Sequence, residues 1–260
     1  MSEAVRDAVG TLSGRTIMIT GASSGIGAAA ARWFAVEGAA VVLMARRKDK
    51  LEEIAAEIRA AGGRVELAPG DVTDTDAVER AVATAVRAFG GLNGAFNNAG
   101  WGTIGTLLHE TDDADFERTM DVNVRGTWNC LKHQLPVMIE AGGGSVVNTS
   151  STAGEFATGA GSAYVAAKHA VLGLTRAAAA EYGQFGIRIN ALIVGTTRTE
   201  LIENAIRAFP PLEQGSVARQ IQPRMADPIE VARAAAWLLS DQASFITGGA
   251  IPVDGGASAI

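Results

Sequence analysis

The residues whose chemistry stands out lie between Ser151 and Lys168. Tyr164 and Lys168 are four apart, and a helix sets residues i and i+4 side by side on one face. Ser151 adds a hydroxyl thirteen residues before the tyrosine. A free phenol titrates at about 10, too high for ready proton exchange near neutrality. A neighbouring ammonium favours the phenolate and is expected to lower that value. Such a pair can give a proton to, or take one from, a carbonyl or alcohol oxygen.

Elsewhere in the chain, Gly21-x-x-x-Gly25-x-Gly27 follows the β-branched run Thr16-Ile17-Met18-Ile19-Thr20 and precedes an alanine-rich helix over 28–37. Strand, glycine turn and helix are the context of a dinucleotide phosphate site. The glycines allow tight turning and close approach, and the helix N-terminus supplies donors and positive potential. The spacing is not G-x-G-x-x-G, so the glycines alone leave a ligand-free tight turn open. Their place in the first βα unit favours the binding site. The second strand ends Met44-Ala45-Arg46-Arg47-Lys48, without a carboxylate. An acidic residue there would bind a ribose 2′-hydroxyl, and an arginine a 2′-phosphate. Arg46 first and Arg47 second therefore point to NADP(H). A solvated basic turn is the bland alternative, and Asp49 leaves NAD(H) open.

Apolar runs at 39–45, 65–68, 95–96, 145–149, 187–193 and 250–253 predict further strands. Helical spacing predicts helices over 49–61, over 75–89 (capped by Asp74 or Thr73), over 113–140 with a bend near Pro136, to about 182 from the Tyr164 segment, and over 228–240. Alternating strands and helices predict an α/β fold, a doubly wound parallel sheet of Rossmann type. No composition break divides the chain, so residues 1–260 read as a single dinucleotide-binding and catalytic domain, with 1–14 as a frayed leader. The least regular segment, 195–227, holds Pro210-Pro211, Gly215 and Pro223 and is a candidate substrate lid.

A net charge of −6 argues against a nucleic-acid partner, and the N-terminus lacks the basic start and apolar run of a signal peptide. The apolar stretch 28–45 is broken by Arg32 and Glu37, too short and charged for a membrane span. One cysteine, Cys130, excludes an intrachain disulfide. A cytoplasmic location is the expectation. His109, His133 and His169 show no metal-ligand spacing, so no metal is expected.

With these residues in hand, the chain resembles the short-chain dehydrogenase/reductase family in its compact single-domain form, from about Gly14 to Ile260. The matching pieces are Thr20 to Gly27, Asp71-Val72, Asn97-Asn98-Ala99-Gly100, Asn123, Ser151, Tyr164-x-x-x-Lys168 and Pro252-Val253-Asp254-Gly255-Gly256. The resemblance implies an oxidoreductase, a carbonyl reductase that moves a hydride between NADP(H) and a ketone or secondary alcohol. It makes Tyr164 the general acid/base. Lys168 would lower its pKa and hold the nicotinamide ribose, Ser151 would bind the substrate oxygen, and Asn123 would hold a water in a proton relay. Gly21, Ser23, Ser24, Gly25, Ile26 and Gly27 would hold the pyrophosphate. Asp71 and Val72 would flank the adenine, Asn98, Ala99 and Gly100 would line the cleft, and Gly195 and Thr199 would meet the nicotinamide end. The family usually has Pro-Gly after the sixth strand where this chain has Val194-Gly195, so the backbone there is less constrained.

The resemblance also implies a homo-oligomer, tetramer or dimer, joined through the helices at 113–140 and 162–182 and the segment 255–260. Relatives that act on carrier-bound acyl groups tend to have arginines near the ends of those helices. Here the regions read Ile139-Glu140-Ala141-Gly142 and Tyr182-Gly183-Gln184-Phe185, which favours a free small ketone or alcohol, although Arg176 and Arg188 keep the 3-oxoacyl-carrier reading open. Trp101, Ile104, Phe156, Thr158, Leu201, Ile202 and Phe209 suit an apolar or cyclic substrate, the bland alternative being ordinary core. The remaining alternatives are an NAD-dependent alcohol dehydrogenase and a cofactor-sensing regulator without turnover.

Overall fold

The apolar runs become parallel strands: β1 (Thr16–Thr20), β2 (Ala40–Ala45), β3 (Arg64–Pro69), β4 (Gly94–Asn97), β5 (Gly144–Thr149), β6 (Ile187–Val194) and β7 (Ala250–Val253). The computed structural model describes residues 10–102, 107–157, 160–208, 210 and 212–260, the side chains at 201, 205, 208, 212 and 216 excepted. The strands form one sheet in the order β3-β2-β1-β4-β5-β6-β7, every pairing parallel. The α-helices are α1 (Gly25–Val36), α2 (Lys48–Ala60), α3 (Thr75–Phe89), α4 (Asp113–Met120), α5 (Gly126–Glu140), α6 (Ser162–Tyr182), α7 (Glu200–Ala208), α8 (Leu212–Val217) and α9 (Pro228–Leu239).

Side-chain alternation decides which helix covers which face. Ile17, Ile19, Val41 and Leu43 pack with α1, α2 and α9, while Met18, Val42 and Met44 pack with α3, α5 and α6. With both faces covered, the strands read as nearly continuous apolar runs. Asp74 is the N-cap of α3, accepting from the amides of Asp76 and Ala77. At the start of α9, Pro228 follows an Asp227–Glu230 capping box.

Three expectations change. Leu12 is fully buried against α1, and Thr11 donates to Glu37 from its amide and hydroxyl, so 10–14 is packed rather than frayed; residues 1–9 lie outside the described residues. The helix expected over 113–140 is interrupted at 121–125 by a π turn, with Pro136 inside α5. Side chains compete for carbonyls there: Thr119 donates to the Asp115 oxygen, Asn123 to the Thr119 oxygen and Thr127 to the Asn123 oxygen, at 2.7, 2.8 and 2.7 Å. The segment 195–227, expected to be irregular, contains α7 and α8. Glu200 and Glu203 supply acidic groups to the first turn of α7, and Arg198 pairs with Glu203.

The order of strands reverses between β1 and β4, where an open α/β sheet forms its ligand crevice. Thr20 ties the two strand ends together, its hydroxyl accepting from the amides of Asn98 and Ala99 at 3.0 and 3.1 Å. Beneath the crevice, Asn97 and Gln134 exchange two amide hydrogen bonds of 3.1 and 2.9 Å, and Asn97 also donates to Asn148 at 3.0 Å. All three are buried. Gln134→Ala should cost about 2–4 kcal/mol, because it leaves the buried Asn97 Oδ1 without its donor and opens a cavity. Urea unfolding measures the loss, and a loss below about 1 kcal/mol would show that this ring of amides contributes no more than an exposed pair.

Candidate active site

The first turns of α6 carry Tyr164 and Lys168 towards the carboxyl ends of β4 and β5. Lys168 is 3% exposed. Its Nζ donates to the Thr149 carbonyl, the last residue of β5, at 2.9 Å, and lies 5.4 Å from the centroid of the Tyr164 ring. Burial lowers the Lys168 pKa to about 8. Burial pushes the Tyr164 phenol upward, and a hydrogen bond with Ser151 works against that. The expected lowering of Tyr164 by Lys168 is therefore not what the geometry produces. The ammonium sits against the ring, bonded to a carbonyl, and desolvation is the larger influence on both groups.

The neighbouring serines have different places. Ser150 is buried and donates to the Lys168 carbonyl at 3.0 Å. Ser151 opens a short 3-10 turn, accepting from the Ala153 amide at 3.2 Å, and lines the cleft beside Tyr164. Gly102 runs under the Tyr164 ring: a Cβ there would lie 2.5 Å from Tyr164 Cδ2.

Asn123 is fully buried at the π turn and is not among the cleft-lining residues. Its Nδ2 donates to the carbonyls of Trp101 and Thr119 at 2.6 and 2.8 Å, and its Oδ1 accepts from the Trp101 amide at 3.4 Å. A Cβ at Gly100 would stand 3.1 Å from Asn123 Oδ1 and 3.5 Å from Lys168 Nζ, so the two side chains flank that glycine.

These residues face a cleft of about 780 Å³. Gly21, Ser23, Ser24, Gly25 and Ile26 line one part of it, with Arg46, Arg47, Asp71 and Val72 beside them. Asn98, Ala99, Gly100, Gly195 and Thr199 lie along the same wall. Gly27 sits behind the turn, where a Cβ would be 2.2 Å from the Gly21 oxygen, so it packs helix against strand rather than facing the cleft. Gly21 has φ +65°, a left-handed conformation that suits glycine. Ser24, the N-cap of α1, makes no side-chain cap bond, so the first amides of α1 are left without that acceptor. Unused amides at a helix N-terminus, beside a glycine turn, fit the pyrophosphate of a dinucleotide. Arg46 meets Asp71 at 3.8 Å, and Arg47 meets Glu200 at 3.1 Å and the Ser23 hydroxyl at 3.3 Å. Val194-Gly195 is held by packing in place of a proline: the Gly195 amide donates to Val253, and a Cβ on Gly195 would be 2.6 Å from Asp254 Cα.

Trp101 and Phe156 line the cleft with Ser151 and Tyr164, as does Ile202 from α7. Ile104, Thr158, Phe209 and the side chain of Leu201 lie outside the described residues. Arg118, Arg219 and Gln220 also line the cleft and were not singled out from the sequence. Arg118 lies over Trp101 and Arg219 over Phe156, contacts across loops that no local pattern announces. Arg188, weighed for an acidic partner, instead donates to the carbonyls of Leu238 and Ser240. His133 bonds Thr75 and His169 bonds the Val165 carbonyl. Among the described residues no group of three or more His, Cys, Asp or Glu is placed to hold a metal ion, and no helix is long and apolar enough to cross a membrane.

Because the folded pKa of Lys168 lies below its ordinary 10.5, the unfolded chain binds more protons between about pH 8 and 10.5. Stability should therefore rise as pH climbs through that window, by at most about 3 kcal/mol for the full shift. Lys168→Met removes the titrating group and should flatten the rise. Urea unfolding of both proteins at about pH 7.5 and about pH 10 tests this; identical pH dependence in the two would show that the ammonium is not held out of water.

A family model described as enoyl-(acyl carrier protein) reductase matches residues 21–258. The A-factor type γ-butyrolactone 1′-reductase (1S-forming) of Streptomyces virginiae is 49% identical over 251 residues, covering 96% of this chain and 98% of that one. The crystal structure of levodione reductase aligns with a TM-score of 0.90 at 37% identity, over 95% of this chain and 99% of its own. Carveol dehydrogenase from Mycobacterium avium, in complex with NAD, aligns with a TM-score of 0.92 at 31% identity, over 96% and 100%. With a family match over residues 21–258 and relatives alike over almost its whole length, the chain belongs to the short-chain dehydrogenase/reductase family.

Proposed function

We propose that this oxidoreductase interconverts a ketone and a secondary alcohol with NADP(H), on a small or cyclic, largely apolar carbonyl compound. The observation that carries the reading is Tyr164, a phenol on the cleft wall, hydrogen-bonded with Ser151 and continuous with the glycine turn. When bound, the dinucleotide supplies the hydride. Ser151 holds the substrate oxygen beside the phenol. Burial keeps Tyr164 protonated at neutral pH, the form that donates a proton to a carbonyl oxygen as charge develops on it. The Lys168 cation still predominates below about pH 8 and stabilises the phenolate that remains. Asn123 holds Trp101 and the π turn in place, and beside Lys168 it supports the relay reading. Residues 195–227, with α7 and α8, act as the lid of this single domain. We read the chain as a cytoplasmic homo-oligomer; exposed Phe116 and Trp128 on α4 and α5 support association there.

One observation favours NAD(H) instead. Both guanidiniums at the end of β2 already meet carboxylates, which a 2′-phosphate would have to displace or share. The NAD in the carveol dehydrogenase complex points the same way. The commitment of Arg188 to backbone carbonyls weakens the carrier-bound alternative.

A ketone and alcohol panel run with NADPH and NADH in parallel should show turnover. Tyr164→Phe should lower kcat by about 10²- to 10⁴-fold while the dinucleotide still binds. Turnover that survives the change removes Tyr164 as the acid, and binding without turnover in the unaltered chain revives the regulator reading. Arg46→Ala should raise KM for NADPH about tenfold more than KM for NADH, the loss of a charge-assisted contact. A preference for NADH in the unaltered chain overturns the NADP(H) assignment.

A further inference from the structure

We infer that the substrate carries a second oxygen acceptor, remote from the reacting carbonyl, and that Arg118 and Arg219 bind it; this rests on the carbonyl-reductase reading of the same cleft. Trp101 and Phe156 are the aromatic residues that follow the carboxyl ends of β4 and β5 on the substrate side. Each carries a guanidinium: Arg118 Cζ lies 4.5 Å from the Trp101 centroid and Arg219 Cζ 4.4 Å from that of Phe156. All four line the cleft. The walls that look apolar in the sequence are therefore faced by two cations.

Within the cleft, pairing separates these two from Arg46 and Arg47, which meet Asp71 and Glu200. Arg15, Arg32, Arg46, Arg47, Arg80, Arg125, Arg198 and Arg224 each meet an Asp or Glu. Among the described residues, neither Arg118 nor Arg219 has an Asp or Glu side chain in ion-pair reach. Arg219 gives one N–H to the Ile260 oxygen at 3.3 Å. Stacking alone is not the argument, since Arg64 on Phe89 and Arg233 on Trp33 stack in the same way away from the cleft. The combination of stacking and cleft position points to a ligand.

A guanidinium lying on a ring keeps its in-plane N–H edge available and is held in orientation by the ring. That edge matches a ketone, lactone or carboxylate oxygen. Donors that meet such an oxygen favour a ligand that carries it over an analogue that lacks it.

The test is a panel in which each monoketone is paired with analogues bearing a second oxygen, beginning with cyclohexanone, cyclohexane-1,4-dione and 4-oxocyclohexanecarboxylate. The oxygenated analogues should be turned over with at least about tenfold higher kcat/KM than their parent. The dione and carboxylate arms separate a neutral acceptor from an anionic one. Arg118→Met and Arg219→Met keep an apolar side chain against the ring, and should remove that preference through KM rather than kcat. Parents used as well as their analogues, or variants that lower all members alike, would overturn the inference while leaving the reductase reading intact. No turnover of any ketone with either dinucleotide would overturn both.

Discussion

The site depends on an ammonium held out of water by a single backbone carbonyl. Lys168 reaches its position only because β5 ends at Thr149 and offers that oxygen at 2.9 Å. The start of α6 is fixed to the strand from the other side as well, since Ser150 donates to the Lys168 carbonyl. Two bonds between one strand end and one lysine thus set the helix in register and orientation. Tyr164, one turn earlier, is placed as a consequence, and bare backbone at Gly102 lets its ring approach closely there.

The sheet makes that register available. Thr20 clamps β4 to β1 at the point where strand order reverses. The buried amides of Asn97, Gln134 and Asn148 fix β4, α5 and β5 one layer below. The glycine turn and the Tyr164–Lys168 helix are far apart in sequence, and they share a cleft because this clamped edge brings their strands together. Polar groups in the core here have a positional task, which an apolar core of the same volume would perform less specifically.

Local patterns made the strands, the cap at Asp74 and the i,i+4 pair readable in the sequence, because each depends on near neighbours. Ser151 was readable from its spacing to Tyr164, and its neighbour Ser150 is instead bound to the Lys168 carbonyl. The π turn was not readable: it follows from Thr119, Asn123 and Thr127 competing for carbonyls, in residue types that a regular helix tolerates. Helices α7 and α8 were hidden by the prolines and glycine around them. Nothing in the sequence singles out Arg118 and Arg219, since what defines them is an aromatic partner across a loop. The direction of the Tyr164 shift was misjudged for a related reason. Spacing shows that an amine is near, but not that both groups are desolvated.

That shared desolvation bears on the chemistry itself. It raises the phenol and lowers the amine, so each is driven towards its neutral form in the resting site. On the proposed mechanism, proton donation from Tyr164 would change the balance. The phenolate left behind would lie near the Lys168 ammonium in a medium of low polarity, where attraction between opposite charges is stronger than in water. The environment that disfavours an isolated charge on either residue therefore favours the pair formed after transfer. Stabilisation that appears only as the proton leaves acts on the transition state rather than on the resting enzyme. On this view the buried lysine contributes less by lowering a resting pKa than by being a cation already in place beside the ring when the phenol gives up its proton.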